Sequence, residues 1–248
     1  MSDPPIPAAT LILVRDRIAE PPELLMVERA AGMAFAGGAL VFPGGRIDDA
    51  DRDQAGHYDL GDGGARVAAI RETIEETAIP VGLDPCPDAQ AARHLQERLA
   101  ADTSFDELLA DLGVELRPDA LTPFARWVPQ FHAVRRFDTM FYIAEAPPGD
   151  WLPRVIEREC AGALWINAEE VLRREQAGTA KLIFPTRRTL ERLALHRNYA
   201  ELRADAERHP VEPISPWVEE DGGDRFVTIP DNLGFPVTRE KLDGLWRG

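Results

Sequence analysis

Arg71-Glu72-Thr73-Ile74-Glu75-Glu76 combines two patterns in one helical segment. At about 100° per residue, the apolar residues of 65–77 fall on one side of a helix, and these are Val67, Ile70 and Ile74. Glu75 and Glu76 lie within about 60° of Glu72 on the opposite side of the helix. Pro80 ends the helix. The segment therefore predicts a helix with one face in a core and three carboxylates on the other.

Three carboxylates on one helix face repel one another by a few tenths of a kcal/mol per pair. A hard divalent cation would offset this repulsion, because Mg²⁺ takes oxygen ligands and leaves positions for substrate phosphates. Arg71 can hold one of the carboxylates in place. The alternative is a solvated acidic face, which is what most runs of charge are.

A second stretch, Phe42-Pro43-Gly44-Gly45-Arg46-Ile47-Asp48, reads as a strand that runs into a glycine turn. Together the two stretches resemble the Nudix box, GX5EX7REUXEEXGU, in which U is aliphatic. Gly45 matches the first glycine, and the RE and EE pairs match Arg71-Glu72 and Glu75-Glu76. Ile79 matches the last aliphatic residue.

The resemblance has four departures. Asp51 stands where the pattern has Glu, Thr73 replaces an aliphatic residue, and Ala78 replaces the second glycine. The spacer of seven is nineteen residues here, 52–70. The extra length falls in the glycine-rich segment 52–64, which we interpret as a loop, where added length costs little. Asp is shorter than Glu by one methylene, so a direct role for Asp51 is in doubt.

An interrupted box resembles the Nudix subgroup that includes a peroxisomal coenzyme A diphosphatase. Residues 24–29 and 135–142 resemble that subgroup as well. The resemblance implies an α+β fold, a Nudix-type α-β-α sandwich with a mixed sheet, over residues 8–208. We expect a box insert at about 52–64, a helical insertion at about 85–117, and a C-terminal extension, 209–248, packed on the domain or on a partner subunit.

The apolar patterns predict the elements of this fold. Strands are expected at 9–15, 23–28, 37–42, 124–128, 139–144, 163–166 and 225–229. Besides 65–77, helices are expected at 89–112 (one or two), 168–175 and 186–208.

The resemblance also implies the site. Nudix enzymes use Mg²⁺ or Mn²⁺ to cleave a diphosphate linked to a nucleoside. Motif position makes Glu75 and Glu76 metal ligands, Glu72 a ligand or the base, and Arg71 the residue that orients the glutamates; Arg71, Glu72 and Glu76 form the catalytic set. The carbonyl of Gly45 would complete the coordination. Glu159, chosen over Glu157 in the loop before strand 163–166, is a further ligand or a solvated acid.

Substrate contacts are predicted from residues beside the box. Arg29, Arg135 and Arg136 would meet a phosphate, and Phe137 or Trp127 would stack on a base. The alternatives are solvated arginines and aromatic residues that belong to the core.

Composition limits the possible functions. The 248 residues carry 28 Lys+Arg against 43 Asp+Glu, a formal net charge of −15, which argues against a nucleic-acid backbone binder. The sequence has no run of about 18 apolar residues, so no membrane span is predicted. The N-terminus lacks the pattern of a signal peptide, and two cysteines fit a reducing compartment, so we expect a cytoplasmic protein. We expect a homodimer, because dimers are the commonest homo-oligomers.

The expected function is metal-dependent hydrolysis of a small diphosphate substrate, with coenzyme A or its thioesters as the subgroup substrate. ADP-ribose or a nucleotide sugar is the alternative substrate. A different class, a Nudix module that senses a nucleotide without cleaving it, is favoured by Asp51, Thr73 and Ala78. The retained Arg71 and three glutamates favour the enzyme.

Overall fold

The computed structural model describes residues 4–32, 36–128, 136–156 and 160–242. Their strands are β1 (Ile6–Arg17), β2 (Glu20–Arg29), β3 (Leu40–Val41), β4 (Gly44–Arg46), β5 (Leu83–Asp84), β6 (Glu115–Leu116), β7 (Thr122–Trp127), β8 (Phe137–Glu145), β9 (Cys160–Asn167), β10 (Pro213–Ile214), β11 (Trp217–Asp221), β12 (Asp224–Thr228) and β13 (Arg239–Lys241). Their α-helices are α1 (Asp49–Ala55), α2 (Gly63–Thr77), α3 (Ala89–Leu99), α4 (Phe105–Leu112), α5 (Ala168–Gln176), α6 (Phe184–Leu193) and α7 (Tyr199–Arg208).

The central sheet is mixed. Its strands follow the order β10-β7-β8-β1-β2-β3, while β4 pairs with β1 and β9 with β2. β1 and β8 are parallel, as are β10 and β7, and the other pairs are antiparallel. The expected α+β fold with a mixed sheet is confirmed.

Each face of the sheet carries its own apolar core, because side chains alternate along a strand. In β1, Leu11 and Leu13 pack with α2, α3 and α4 on one face, whereas Ile12 and Val14 pack with α5, α6 and α7 on the other. All four side chains are fully buried. The central strands therefore read as continuous apolar runs, and the layers form an α-β-α sandwich.

The expected loop over 52–64 is wrong in part, because α1 covers its first residues and α2 begins at Gly63. α1 has a capping box in which the Asp48 N–H donates to Asp51 Oδ2 at 2.9 Å. A short acidic helix of this kind is stabilised by its caps and tertiary contacts. It has no apolar stripe from which the sequence could predict it.

The expected helix over 186–208 is also wrong, because the chain breaks it into α6 and α7. Asn198 caps α7 by accepting from the Glu201 N–H at 2.9 Å, which starts a new helix. The helical insertion forms two helices, α3 and α4, one of the two alternatives expected for it.

The C-terminal extension folds against the other layers in the described residues. Strands β11, β12 and β13 form a separate antiparallel sheet, of which only β12 was expected. After β12, Leu233 and Phe235 are buried in the same core as α6 and α7. Where the domain ends remains a prediction.

No helix in the described ranges is long and apolar enough to cross a membrane. Cys86 and Cys160 are both free thiols.

Candidate active site

α2 separates its two faces as the sequence predicts. Val67, Ile70 and Ile74 are fully buried, while the three glutamates stay half-buried on the other side. Thr73 is buried in place of an aliphatic residue, since its Oγ1 donates to the Ala69 carbonyl at 2.7 Å. Ala78 follows the helix with φ of 58°, the left-handed conformation for which the second glycine of the box is suited.

Arg71 is the centre of an ion-pair network. Its Nε and Nη2 donate to Asp51 Oδ1 and Oδ2 at 2.8 and 3.0 Å, a bidentate pair. Its Nη1 lies 2.9 Å from Glu72 Oε1 and 3.5 Å from Glu75 Oε2. Although burial acts to lower it, the hydrogen bonds to Asp51 and the neighbouring carboxylates raise the pKa of Arg71 above its ordinary value. The structure thus gives Asp51 a role that its shorter side chain had put in doubt.

Glu72 lies between Arg71 and the glycine turn. A Cβ added at Gly45 would overlap the Glu72 carboxylate, so only glycine permits this approach. Burial raises the pKa of Glu72 to about 7, against the lowering effect of Arg71.

Glu76 is held from two sides. The Gly44 N–H donates to its Oε2 at 3.0 Å, and the Cys160 thiol donates to its Oε1 at 3.6 Å. Burial first, and the charge of Glu72 second, raise the pKa of Glu76 to about 8. The carboxylates of Glu72 and Glu76 therefore repel each other, and a bound cation would offset that repulsion.

The donor chemistry of these residues fits a hard divalent cation, because it consists of carboxylate oxygens in a partly dry site. Within 4–32, 36–128, 136–156 and 160–242, no group of three or more His, Cys, Asp or Glu side chains is arranged to hold a metal ion. In this arrangement Glu72 pairs with Arg71, and Glu76 accepts hydrogen bonds from the Gly44 N–H and the Cys160 thiol. Glu157 and Glu159 lie outside the described residues.

Of the predicted substrate residues, Arg29 is next to the glutamates. It ends β2 opposite Cys160 of β9, and its charge acts to lower the pKa of Glu76. Arg136 and Phe137 are half-buried where β8 begins, at the end of β1 that also pairs with β4. Arg135 lies outside the described residues.

Trp127 is a core residue and does not face a substrate. It is 1% exposed and packs edge-on against Phe184 and Phe235, with ring centroids 6.0 and 5.4 Å away. Of the two alternatives for Trp127, core packing is therefore correct. Cys160 was missed, because nothing in the local sequence indicates that β9 brings it to Glu76, 84 positions away.

No family model matches the sequence, and no curated protein matches it. Among solved structures, the chain is similar to a NUDIX hydrolase from Alicyclobacillus acidocaldarius, with 28% identity and a TM-score of 0.69 over 82% of this chain and 97% of that one. It also matches a MutT NUDIX hydrolase from Burkholderia pseudomallei, with 18% identity and a TM-score of 0.43 over 76% and 98% of the two chains.

The first of these similarities spans nearly the whole of the solved protein. The chain also carries the residues of the Nudix box in this fold, since α2 contains Arg71, Glu72, Glu75 and Glu76. The chain is a Nudix-type hydrolase.

Proposed function

We propose that this protein hydrolyses the diphosphate of a nucleoside diphosphate that is linked to a second moiety, with Mg²⁺ or Mn²⁺ as the cofactor. The observation that carries the proposal is the contact between the Gly45 backbone and the Glu72 carboxylate, beside an Arg71 that Asp51 holds. Asp51 holds Arg71, and Arg71 in turn pairs with Glu72 and lies close to Glu75 on the acidic face of α2.

Glu75, Glu76 and Glu72 would hold the cation, together with the carbonyl of Gly45. Glu159 remains a proposed ligand. When bound, the cation supplies charge that polarises the diphosphate and stabilises the leaving phosphate. Glu72 is a ligand or the base, and as the base its carboxylate oxygen accepts a proton from the attacking water.

Arg29 supports a phosphate-binding role on the substrate side, because it is a positive charge close to Glu76. We propose that Arg29, Arg135 and Arg136 neutralise phosphate oxygens of the substrate, and that Phe137 packs on its base. Arginine suits this task because its planar guanidinium binds phosphate with two donors.

The finer substrate proposal is coenzyme A or one of its thioesters, which rests on the interrupted box and on residues 24–29 and 135–142. ADP-ribose and nucleotide sugars are the alternative. We further propose a cytoplasmic location and a substrate that is a small molecule, with a homodimer as the expected assembly.

The substrate is tested by incubating the purified chain with Mg²⁺ and a panel of these diphosphates, followed by mass spectrometry of the products. Release of 3′,5′-ADP and a phosphopantetheine species supports coenzyme A. No product from coenzyme A, together with AMP from ADP-ribose, rejects it.

The competing function is a nucleotide sensor, favoured by Asp51, Thr73 and Ala78. Two contacts favour the enzyme over the sensor. Asp51 accepts a hydrogen bond from Arg71, and the Thr73 hydroxyl donates to the Ala69 carbonyl, so both replacements fit the box helix. Nucleotide binding without turnover of any diphosphate would favour the sensor.

A further inference from the structure

The catalytic helix α2 ends at a point where two other segments meet it. The last carbonyls of a helix lack intrahelical partners and need donors from elsewhere. The Ala78 N–H supplies one, to the Ile74 carbonyl at 2.8 Å, and the Arg154 N–H supplies another, to the Thr77 carbonyl at 2.8 Å. The Ile79 N–H, which a longer helix would direct at Glu75, donates to Thr77 Oγ1 at 3.3 Å.

The carbonyl of Glu75 accepts a hydrogen bond from the helical insertion. Gln96 of α3 donates from Nε2 to the Glu75 carbonyl at 3.0 Å and to the Arg154 carbonyl at 2.7 Å. Both partners are acceptors, so the amide nitrogen must face them, and the orientation of the side chain is settled by its contacts. One amide thus joins α3, α2 and the segment before β9.

Gln96 is an unusual residue for its surroundings. It is 0% exposed, and its neighbours on the same side of α3, Ala92, Leu95 and Leu99, are buried apolar residues. Its Oε1 is buried with no hydrogen-bond partner in the described structure. Burying an amide costs free energy unless it is hydrogen-bonded. If this position served only for packing, an apolar residue would therefore stabilise the protein more. Only the donor side of the amide gives a reason for glutamine here.

We infer that Gln96 is a positioning residue of the active site, which fixes the last turn of α2 and thereby the backbone from which Glu75 and Glu76 extend. The inference rests on the proposed function and gives the helical insertion a role in it. Without this donor, the last turn of α2 would lose the hydrogen bond that ties the Glu75 carbonyl to α3 and, through the same amide, to the Arg154 carbonyl. Partners that orient the groups holding a metal commonly change its affinity by about 10- to 100-fold.

The test uses Gln96→Met, which keeps the length of the side chain and removes both donors. The control is Leu99→Ala, one turn along α3, which removes apolar packing and no donor to α2. A second control is Glu97→Gln, which affects the exposed ion pair to Arg154. The readouts are the Mn²⁺ dissociation constant, measured by electron paramagnetic resonance of free Mn²⁺, and kcat and KM for a diphosphate cleaved by the wild type.

We expect Gln96→Met to weaken Mn²⁺ binding about tenfold and to lower kcat with little change in KM. Both controls should bind Mn²⁺ as the wild type does, even where Leu99→Ala lowers the melting temperature as much. Gln96→Asn, whose amide is one methylene shorter, gives an intermediate loss and serves if the Met variant does not fold.

Equal Mn²⁺ affinity and kcat in Gln96→Met, Leu99→Ala and the wild type would overturn the inference and leave the proposed function intact. A wild type that binds Mn²⁺ but cleaves no diphosphate would overturn the proposed function. The effect of Gln96 on Mn²⁺ affinity would still decide the positioning role in that case.

Discussion

Asp51 and Arg71 form a bidentate ion pair although twenty positions and the box insert separate them in the chain. Asp51 is 2% exposed, and its Oδ2 also accepts the Asp48 N–H that begins α1. One carboxylate therefore starts the helix of the insert and holds the arginine that pairs with Glu72. The shorter side chain reaches Arg71 because α1 brings its backbone close.

We predict that Asp51→Ala and Arg71→Ala each lower kcat/KM by about 10- to 100-fold, since either change releases Glu72. The double variant should be little worse than the single ones, because both remove one interaction. Steady-state kinetics of the four proteins checks this. Asp49→Ala is the control, since Asp49 lies exposed on the same helix. Additive losses would show that the two residues act independently.

Gly45→Ala should disable the site without unfolding the protein. The added Cβ would overlap the Glu72 carboxylate, so Glu72 must move away from its place beside Arg71. A displacement of about 1 Å can cost about 100-fold in rate, and we expect a loss of that order in kcat. Gly61→Ala, at a glycine with open space around it, should keep full activity. Unchanged turnover in Gly45→Ala would contradict the assigned place of Glu72.

Ala78→Gly should stabilise the protein. The left-handed conformation costs an L-residue roughly 1–2 kcal/mol, part of which glycine loses again as backbone entropy. A gain of about 0.5–1 kcal/mol in the free energy of unfolding is expected, measured by urea denaturation. Ala100→Gly, at the right-handed end of α3 with φ of −65°, should lower stability instead. A loss of stability in both variants would contradict the argument from backbone conformation.

Phe235→Ala tests whether the C-terminal extension belongs to the folding unit. Phe235 is 5% exposed and packs on Trp127 and over the guanidinium of Arg192. Truncating a buried Phe costs about 3–5 kcal/mol, and we expect that loss in chemical denaturation. Val237→Ala, at a half-exposed side chain, should change stability by less than about 0.5 kcal/mol. Near-equal stabilities would mean that residues 229–235 pack loosely.

Sequence reasoning predicted the parts of the fold that local periodicity specifies. The apolar and acidic faces of α2 were predicted correctly, because both follow from helical spacing. The buried strands of the sheet were recognised by their apolar runs. The short helix α1 and the break between α6 and α7 were not predicted. Both depend on capping residues, which leave little apolar pattern in the sequence.

The candidate site was predicted where the box lies within one helix and missed where the fold brings distant residues together. Cys160 contacts Glu76 from a strand 84 positions later in the chain, and Gln96 contacts Glu75 from the next helix, 21 positions later. Trp127 illustrates the opposite case, because an aromatic residue near a strand end has the same local sequence whether it is core or exposed. Such contacts depend on strand order, which periodicity does not specify.

The most direct test of a metal-dependent Nudix hydrolase is turnover of a nucleoside diphosphate substrate by the wild type and by Glu75→Gln, each with Mg²⁺ and with EDTA. We expect cleavage only by the wild type with Mg²⁺, and a loss of at least about 100-fold in kcat for Glu75→Gln with an unchanged circular dichroism spectrum. Equal turnover by the two proteins, or wild-type turnover that persists in EDTA, would contradict this expectation.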